Sequence, residues 1–153
     1  MMRNLVLIGA FCSAMAITSA ADDTAPAAVQ TAAKARILVH VTHGPESPTR
    51  AALAFLVART AIDEGHTVSI FLAGDAVHLL RDATLDTVAG VGTGKLRDHF
   101  DAIVKGGGQF YLSGMSSQAR GVSQVDLKGK PAQLAPPPVL LRLALEHDRM
   151  FTY

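Results

Sequence analysis

The residues best placed to do chemistry lie in YLSGMSSQARG, Tyr111 to Gly121, where an apolar run gives way to Ser113, Gly114, Ser116, Ser117 and Arg120. Small hydroxyls beside a guanidinium suit two kinds of chemistry: attack by an activated serine, or capture of an anion. An unactivated hydroxyl is a poor nucleophile, so the first needs a base within reach. His43 and His78 come from loops that could approach, but no GxSxG pattern surrounds Ser113 and no triad order can be read. Serines near a helix start satisfy backbone donors far more often than they attack carbonyls. Ser113 is therefore expected to cap the next turn, and no catalytic residue is assigned. Arg120 keeps two readings: it holds an anionic ligand together with neighbouring amides and hydroxyls, or it bonds carbonyls of its own loop.

Two further loops follow apolar runs. THGPESPTR offers His43, Glu46, Ser47 and Arg50, and AGDAVHLLR offers Asp75 and His78. Arg50 falls in the first turn of a helix, where the dipole disfavours a cation. It is expected to find a partner, such as Glu46, or a ligand. His40 and His43 form an H-x-x-H, but residues three apart on a strand point to opposite faces and cannot readily chelate one ion. No metal site is expected. His66 is read as opening a strand, and His99 and His147 as helix-surface residues. VGTG and GGG lack GxGxxG or GxxxxGK spacing, so a nucleotide cradle is not supported. Without tryptophan, and with aromatics at 5%, a large planar cofactor would find few stacking partners, and no cofactor is expected. The candidate ligand-binding set is His43, Arg50, Asp75, Ser113, Gly114, Ser116 and Arg120.

The elements that must position these loops alternate. RILVHVT, Arg36 to Thr42, is apolar nearly throughout, as a strand buried on both faces should be. A helix follows after GPESP, with Thr49 as its expected N-cap, Gly65 as its stop, and Leu53, Leu56, Val57 and Ala61 at helical spacing. HTVSIFLAG is a second strand, AVHLLRD a short helix and VAGVGTG a loop. KLRDHFDAIVKGGG is an amphipathic helix with Leu96, Phe100, Ile103 and Val104 on one face, and QFYLSG is a third strand. Then come a helical turn near Ser123, a brief strand in KPAQLA, a proline-led helix in PPPVLLRLALEHD, and a last strand in RMFTY. Such alternation predicts an α/β fold: a single domain with an open, mostly parallel sheet and helices on both faces. In sheets of this kind ligands collect outside the carboxyl ends of the strands, where all three loops fall.

Ahead of that domain the chain reads differently. MMRN carries a positive charge, LVLIGAFCSAMAI is apolar but too short to span a bilayer, and small residues precede two acids. Residues 1–21 are expected to be a secretory signal peptide, cut after Ala20 or Ala21. Residues 22–35, rich in Ala, Thr and Asp, are expected to be a flexible linker, and 36–153 the domain. Cleavage removes Arg3 from 14 basic residues, leaving 13 against 13 acidic ones. That balance gives no reason to expect nucleic acid or a membrane surface as partner. Cleavage also removes Cys12, the sole cysteine, and with it disulfides, thiolate nucleophiles and Cys metal sites. The expected location is the periplasm or outside the cell.

Four blocks taken in order resemble the DsrE/DsrF-like family, the small sulfur-relay and YchN-type proteins: HGPESPTRAALAFLVA, GHTVSIFLAGDAV, GGGQFYLSGMSSQARGV and LALEHDRMFTY. The resemblance covers the domain from Arg36 to Tyr153. It implies a five-stranded, mostly parallel sheet and a homo-oligomer, trimer or hexamer, or pairing with a DsrE-like paralogue. It also implies a sulfur-carrying cysteine in the loop after Leu112, in a pattern like C-G-x-C followed by A-R-G. Those positions here read Ser113, Gly114, Met115, Ser116, then Ala119, Arg120 and Gly121. A serine cannot carry a persulfide, so the relay chemistry is not expected of this chain alone. Two readings follow: a non-catalytic binding or assembly protein that takes a small anionic or sulfur-containing ligand, or a relay component whose reactive cysteine comes from a partner subunit.

Overall fold

In the first strand of the computed structural model, β1 (Arg36–Val41), the side chains divide by the pleat. Ile37, Val39 and Val41 turn to one face of the sheet and Leu38 to the other, and all four are buried. The structure describes residues 33–153; the expected signal peptide and the linker up to residue 32 lie outside them. Ala35 is tied down: its N–H donates to His66 Nδ1 at 3.2 Å, and its carbonyl accepts from Thr67.

Five strands form one sheet in the order β6-β5-β2-β1-β7, where β2 is Thr67–Leu72, β5 Gln109–Ser113, β6 Ala132–Ala135 and β7 Arg149–Thr152. Every pairing is parallel, with Val39 opposite Ile70 and Ile70 opposite Phe110 at the centre. Burial on both faces explains why β1 and β2 read as unbroken apolar runs. One face is covered by α1 (Pro48–Asp63) and α3 (Leu96–Lys105), where Phe55, Phe100 and Phe110 meet ring to ring, Phe110 lying 5.8 Å from Phe55 and 5.2 Å from Phe100. The other face packs Leu38, Phe71 and Ala135 against Leu143 of α5 (Pro137–Glu146). Each large side chain withdrawn from water contributes about 2–3 kcal/mol before entropy is counted.

Several local expectations need correction. The N-cap of α1 is Ser47, with Pro48 in the first turn, because a proline fixes the helical φ there and needs no donor partner. Thr49 Oγ1 instead accepts the N–H of Val91 at 3.1 Å. The buried row of α1 is Ala51, Ala54, Phe55, Ala58 and Ala61, while Leu53 is exposed and Leu56 and Val57 are half-buried. Small residues let the helix lie close to the sheet, so the larger ones sit at its flanks. AVHLLRD is not one short helix: a 310 helix (Gly74–Leu80) is followed by α2 (Asp82–Thr87). VAGVGTG contains a small antiparallel hairpin of β3 (Ala89–Gly90) and β4 (Gly94–Lys95) rather than a plain loop. Among the described residues no helix is long and apolar enough to cross a membrane.

Candidate functional site

The three loops do meet at the carboxyl ends of β1, β2 and β5. Gly44, after β1, sits so close to the chain at Asp75 that an added Cβ would overlap that residue's carbonyl, its carbon 2.7 Å away. Glu46 does not serve Arg50; its Oε1 accepts the Gly44 N–H at 2.8 Å and holds this turn shut. Arg50 Nη1 bonds His43 Nε2 at 2.6 Å instead. Because a guanidinium only donates, that ring nitrogen is the acceptor and the proton sits on Nδ1. Nδ1–H then donates to Thr42 Oγ1 at 3.3 Å, and the Thr42 hydroxyl donates to the Tyr153 carbonyl at 3.0 Å. A neutral His43 is thereby held between a cation and the last residue of the chain.

After β2, Asp75 accepts from Arg120 Nε at 2.6 Å. The Arg120 hydrogen bond and charge hold the Asp75 carboxyl below the usual carboxylate range. The guanidinium of Arg120 therefore faces a carboxylate, not the carbonyls of its own loop. Arg81 takes that carbonyl role, donating to Gly121 O at 2.6 Å and lying 3.5 Å from Arg120 O. The sequence reading missed Arg81; its only signal was its place at the end of AGDAVHLLR.

After β5, the short helix α4 (Gly114–Ala119) begins, and Ser113 caps it by accepting the Ser116 N–H at 3.3 Å. Ser116 Oγ accepts the N–H of Gly74 at 3.0 Å, joining this loop to the exit of β2. Among the described residues no histidine or carboxylate is hydrogen-bonded to either hydroxyl. The buried Ser117 Oγ has no partner among them. A Cβ on Gly114 would meet only the Ala135 carbonyl at 3.6 Å, ordinary contact, so no close packing requires a glycine there.

The open cavity next to the loop, about 350 Å³, has neither Arg50 nor Arg120 in its lining. Met115, Gln118, Leu134 and Pro136 line it, and Gly114 is the one expected site residue among its lining residues. The candidate site residues thus fall into three contacts at the strand ends: Arg50 on His43, Arg120 on Asp75, and Ser116 on the Gly74 amide. Two histidines assigned to helix surfaces are not there. His99 is 5% exposed, its Nε2 bonded to Thr93 O at 2.6 Å. His147 is half-buried at the end of α5, with Nδ1 donating to Leu143 O at 2.6 Å and Nε2 3.1 Å from Ser69 Oγ. Among the described residues no three His, Cys, Asp or Glu side chains converge as metal ligands.

This parallel five-stranded sheet, with its loops gathered at the carboxyl ends of the strands, defines a small open-sheet α/β protein. The chain belongs to the DsrE/DsrF-like family, whose model matches residues 35–153. Among solved structures it is similar to the YchN protein of E. coli, with a TM-score of 0.60 at 15% identity, over 79% of this chain and 100% of that one. A conserved protein of unknown function from Bacteroides thetaiotaomicron matches at a TM-score of 0.55 and 12% identity, over 77% of this chain and 94% of that one. No curated protein matches the chain. At these identities the structural likeness speaks for the fold, and the family match supplies the association with sulfur relay.

Proposed function

We propose that this chain is an exported, non-catalytic member of its family, which binds a small anionic or sulfur-containing ligand at the strand ends and works as an oligomeric assembly protein. One observation carries the reading: the two serines at the family's cysteine positions already have structural work. Ser113 Oγ caps α4 and Ser116 Oγ holds the Gly74 amide, and the described residues contain no thiol. Arg50 is the best candidate for ligand contact. Its charge has no carboxylate partner among the described residues, and it rests on a neutral histidine. Arg120, neutralised by Asp75, would help only by exchanging that carboxylate for the ligand.

Native mass spectrometry of the mature protein, purified from the periplasm without denaturation, tests this. The expected result is a homo-oligomer that does not gain sulfur when treated with a low-molecular-weight persulfide. Recovery in a complex with a second, cysteine-bearing chain would overturn the reading and favour a relay component whose thiol comes from that partner. Recovery of the intact precursor in the cytoplasm would overturn export.

A further inference from the structure

The contact between His43 and Arg50 fixes where a proton can go. Arg50 Nη1 lies 2.6 Å from His43 Nε2, and a guanidinium can only donate, so Nε2 is an unprotonated acceptor. The other ring nitrogen agrees. The Thr42 hydroxyl gives its one proton to the Tyr153 carbonyl at 3.0 Å, so toward His43 Nδ1, 3.3 Å away, it can only accept, and Nδ1 carries the hydrogen. Any proton this ring takes up therefore arrives at Nε2. Two N–H groups would then point at each other, one on a guanidinium and one on an imidazolium, and the contact has to open. The Nδ1–H bond to Thr42 is untouched by this change, so the ring keeps its orientation. Arg50 and Nε2–H are left side by side as two cationic donors without an acceptor.

Other titratable and charged groups of the described residues gather around this turn, and none of them bonds the pair. Glu46, in the same turn, accepts the Gly44 N–H. Asp75, whose backbone lies against Gly44, is held by Arg120 at 2.6 Å. His78 follows Asp75 by three residues along the 310 helix. The Tyr153 carbonyl is already taken by Thr42. We infer that His43 and Arg50 form a proton-coupled clamp for a small oxyanion, whose oxygens bridge Arg50 and a protonated Nε2, one proton being taken from solvent with each anion. This rests on the reading above that the strand ends bind an anion, and it adds the condition under which they do so. The donors also narrow the ligand. Two N–H groups on separate cations call for oxygen acceptors, with a charge-assisted bond to each, whereas sulfur accepts only weakly. Imidazole is the side chain whose charge changes between about pH 5 and 8, so mild acidification arms the clamp.

Calorimetric titration of the mature protein with sulfate, which keeps its charge across this range, tests the coupling. Affinity is expected to rise about tenfold or more between about pH 8 and pH 5.5, and buffers of different ionisation heat are expected to reveal proton uptake with the anion. His43→Gln keeps a hydrogen-bonding side chain that cannot take the proton, and it is expected to bind weakly with no rise on acidification. Arg50→Gln is expected to lose about tenfold at the lower pH, and unchanged binding there overturns the clamp. Sulfate affinity that ignores pH in the wild type, or a rise that survives in His43→Gln, overturns the coupling while anion binding itself stands. No sulfate binding at any pH overturns the anion reading and the clamp together. If His43→Gln fails to fold, nitrogen NMR of the wild type decides. At about pH 7 sulfate is expected to move His43 Nε2 from the unprotonated to the protonated shift, and an Nε2 that stays unprotonated in the complex overturns the clamp.

Discussion

The hydroxyl of Ser116 accepts the backbone N–H of Gly74 at 3.0 Å, across 42 residues of sequence. It satisfies the first amide of the 310 helix, which starts from a Gly74 in the left-handed region at φ +55°. Replacing Ser116 with alanine leaves that half-buried donor unpaired, and the expected cost is about 1–2 kcal/mol. Cysteine at 116 is expected to fall between serine and alanine, since a thiol is a weak acceptor. Urea unfolding of the three proteins checks the order, and equal midpoints for serine and alanine would refute the structural role.

Ser117, one residue on, should behave in the opposite way. Its hydroxyl is fully buried with no partner among the described residues. Alanine removes an unsatisfied polar group and little volume, so Ser117→Ala is expected to be neutral or to stabilise by up to about 1 kcal/mol. A loss above that, by thermal unfolding, would mean that the hydroxyl has a partner.

Gly44 is where two of the three loops touch. Its φ is unremarkable, but a Cβ would overlap the Asp75 backbone, and backbone cannot rotate away. Gly44→Ala is expected to cost about 3 kcal/mol and to separate the His43–Arg50 pair from Asp75. The check is chemical denaturation, with His43 resonances followed by NMR. Unchanged stability would show that the loops are looser than this contact requires.

The two arginines near Gly121 should differ. Arg81 donates to Gly121 O and also lies 3.4 Å from Asp126 Oδ1, tying the loop after α4 to the 310 helix. Arg120 makes an exposed ion pair with Asp75, and such pairs contribute about 0–1 kcal/mol. Arg81→Ala is expected to lower the unfolding midpoint more than Arg120→Ala, and only the Arg81 loss to persist in high salt.

The five strands of the main sheet and the longer helices were legible in residues 36–153, because a two-sided parallel sheet writes its strands as apolar runs and its helices as periodic stretches. Position alone also picked out the three loops that meet. What escaped were features decided by packing between distant segments. Large residues suggested a Leu53–Val57 face for α1, whereas alanines pack it against the sheet. His99 looked like a surface residue because its partner, Thr93 O, belongs to a hairpin turn with no strong signature. Arg50 and Glu46 looked like a pair by charge, but each found a nearer partner in His43 and in the Gly44 amide. Ser113 shows the contrary case, since a cap is a local interaction and local sequence predicts it.

The last expectation concerns pH. His40 lies 6.0 Å from the Phe71 ring, with Nε2 buried and unpartnered among the described residues, and burial lowers its pKa from the ordinary 6.5. In the unfolded chain the imidazole takes up a proton near that ordinary value, while in the folded protein it does so only at lower pH. Just below 6.5 the unfolded state therefore binds more protons, so stability rises with pH there and is lost as pH falls through the folded value. Asp75, Asp82, Asp126 and Asp148 are also shifted down, by hydrogen bonds from Arg120, from Arg97, from the Ser123 amide and from the Arg36 amide respectively. Their contribution has the same sign but is lost only as pH falls below about 4, so the two windows separate. Melting temperatures measured between about pH 5 and 7.5 should fall on acidification in the wild type and fall less in His40→Leu. Equal slopes in the two proteins would refute the assignment of this pH dependence to His40.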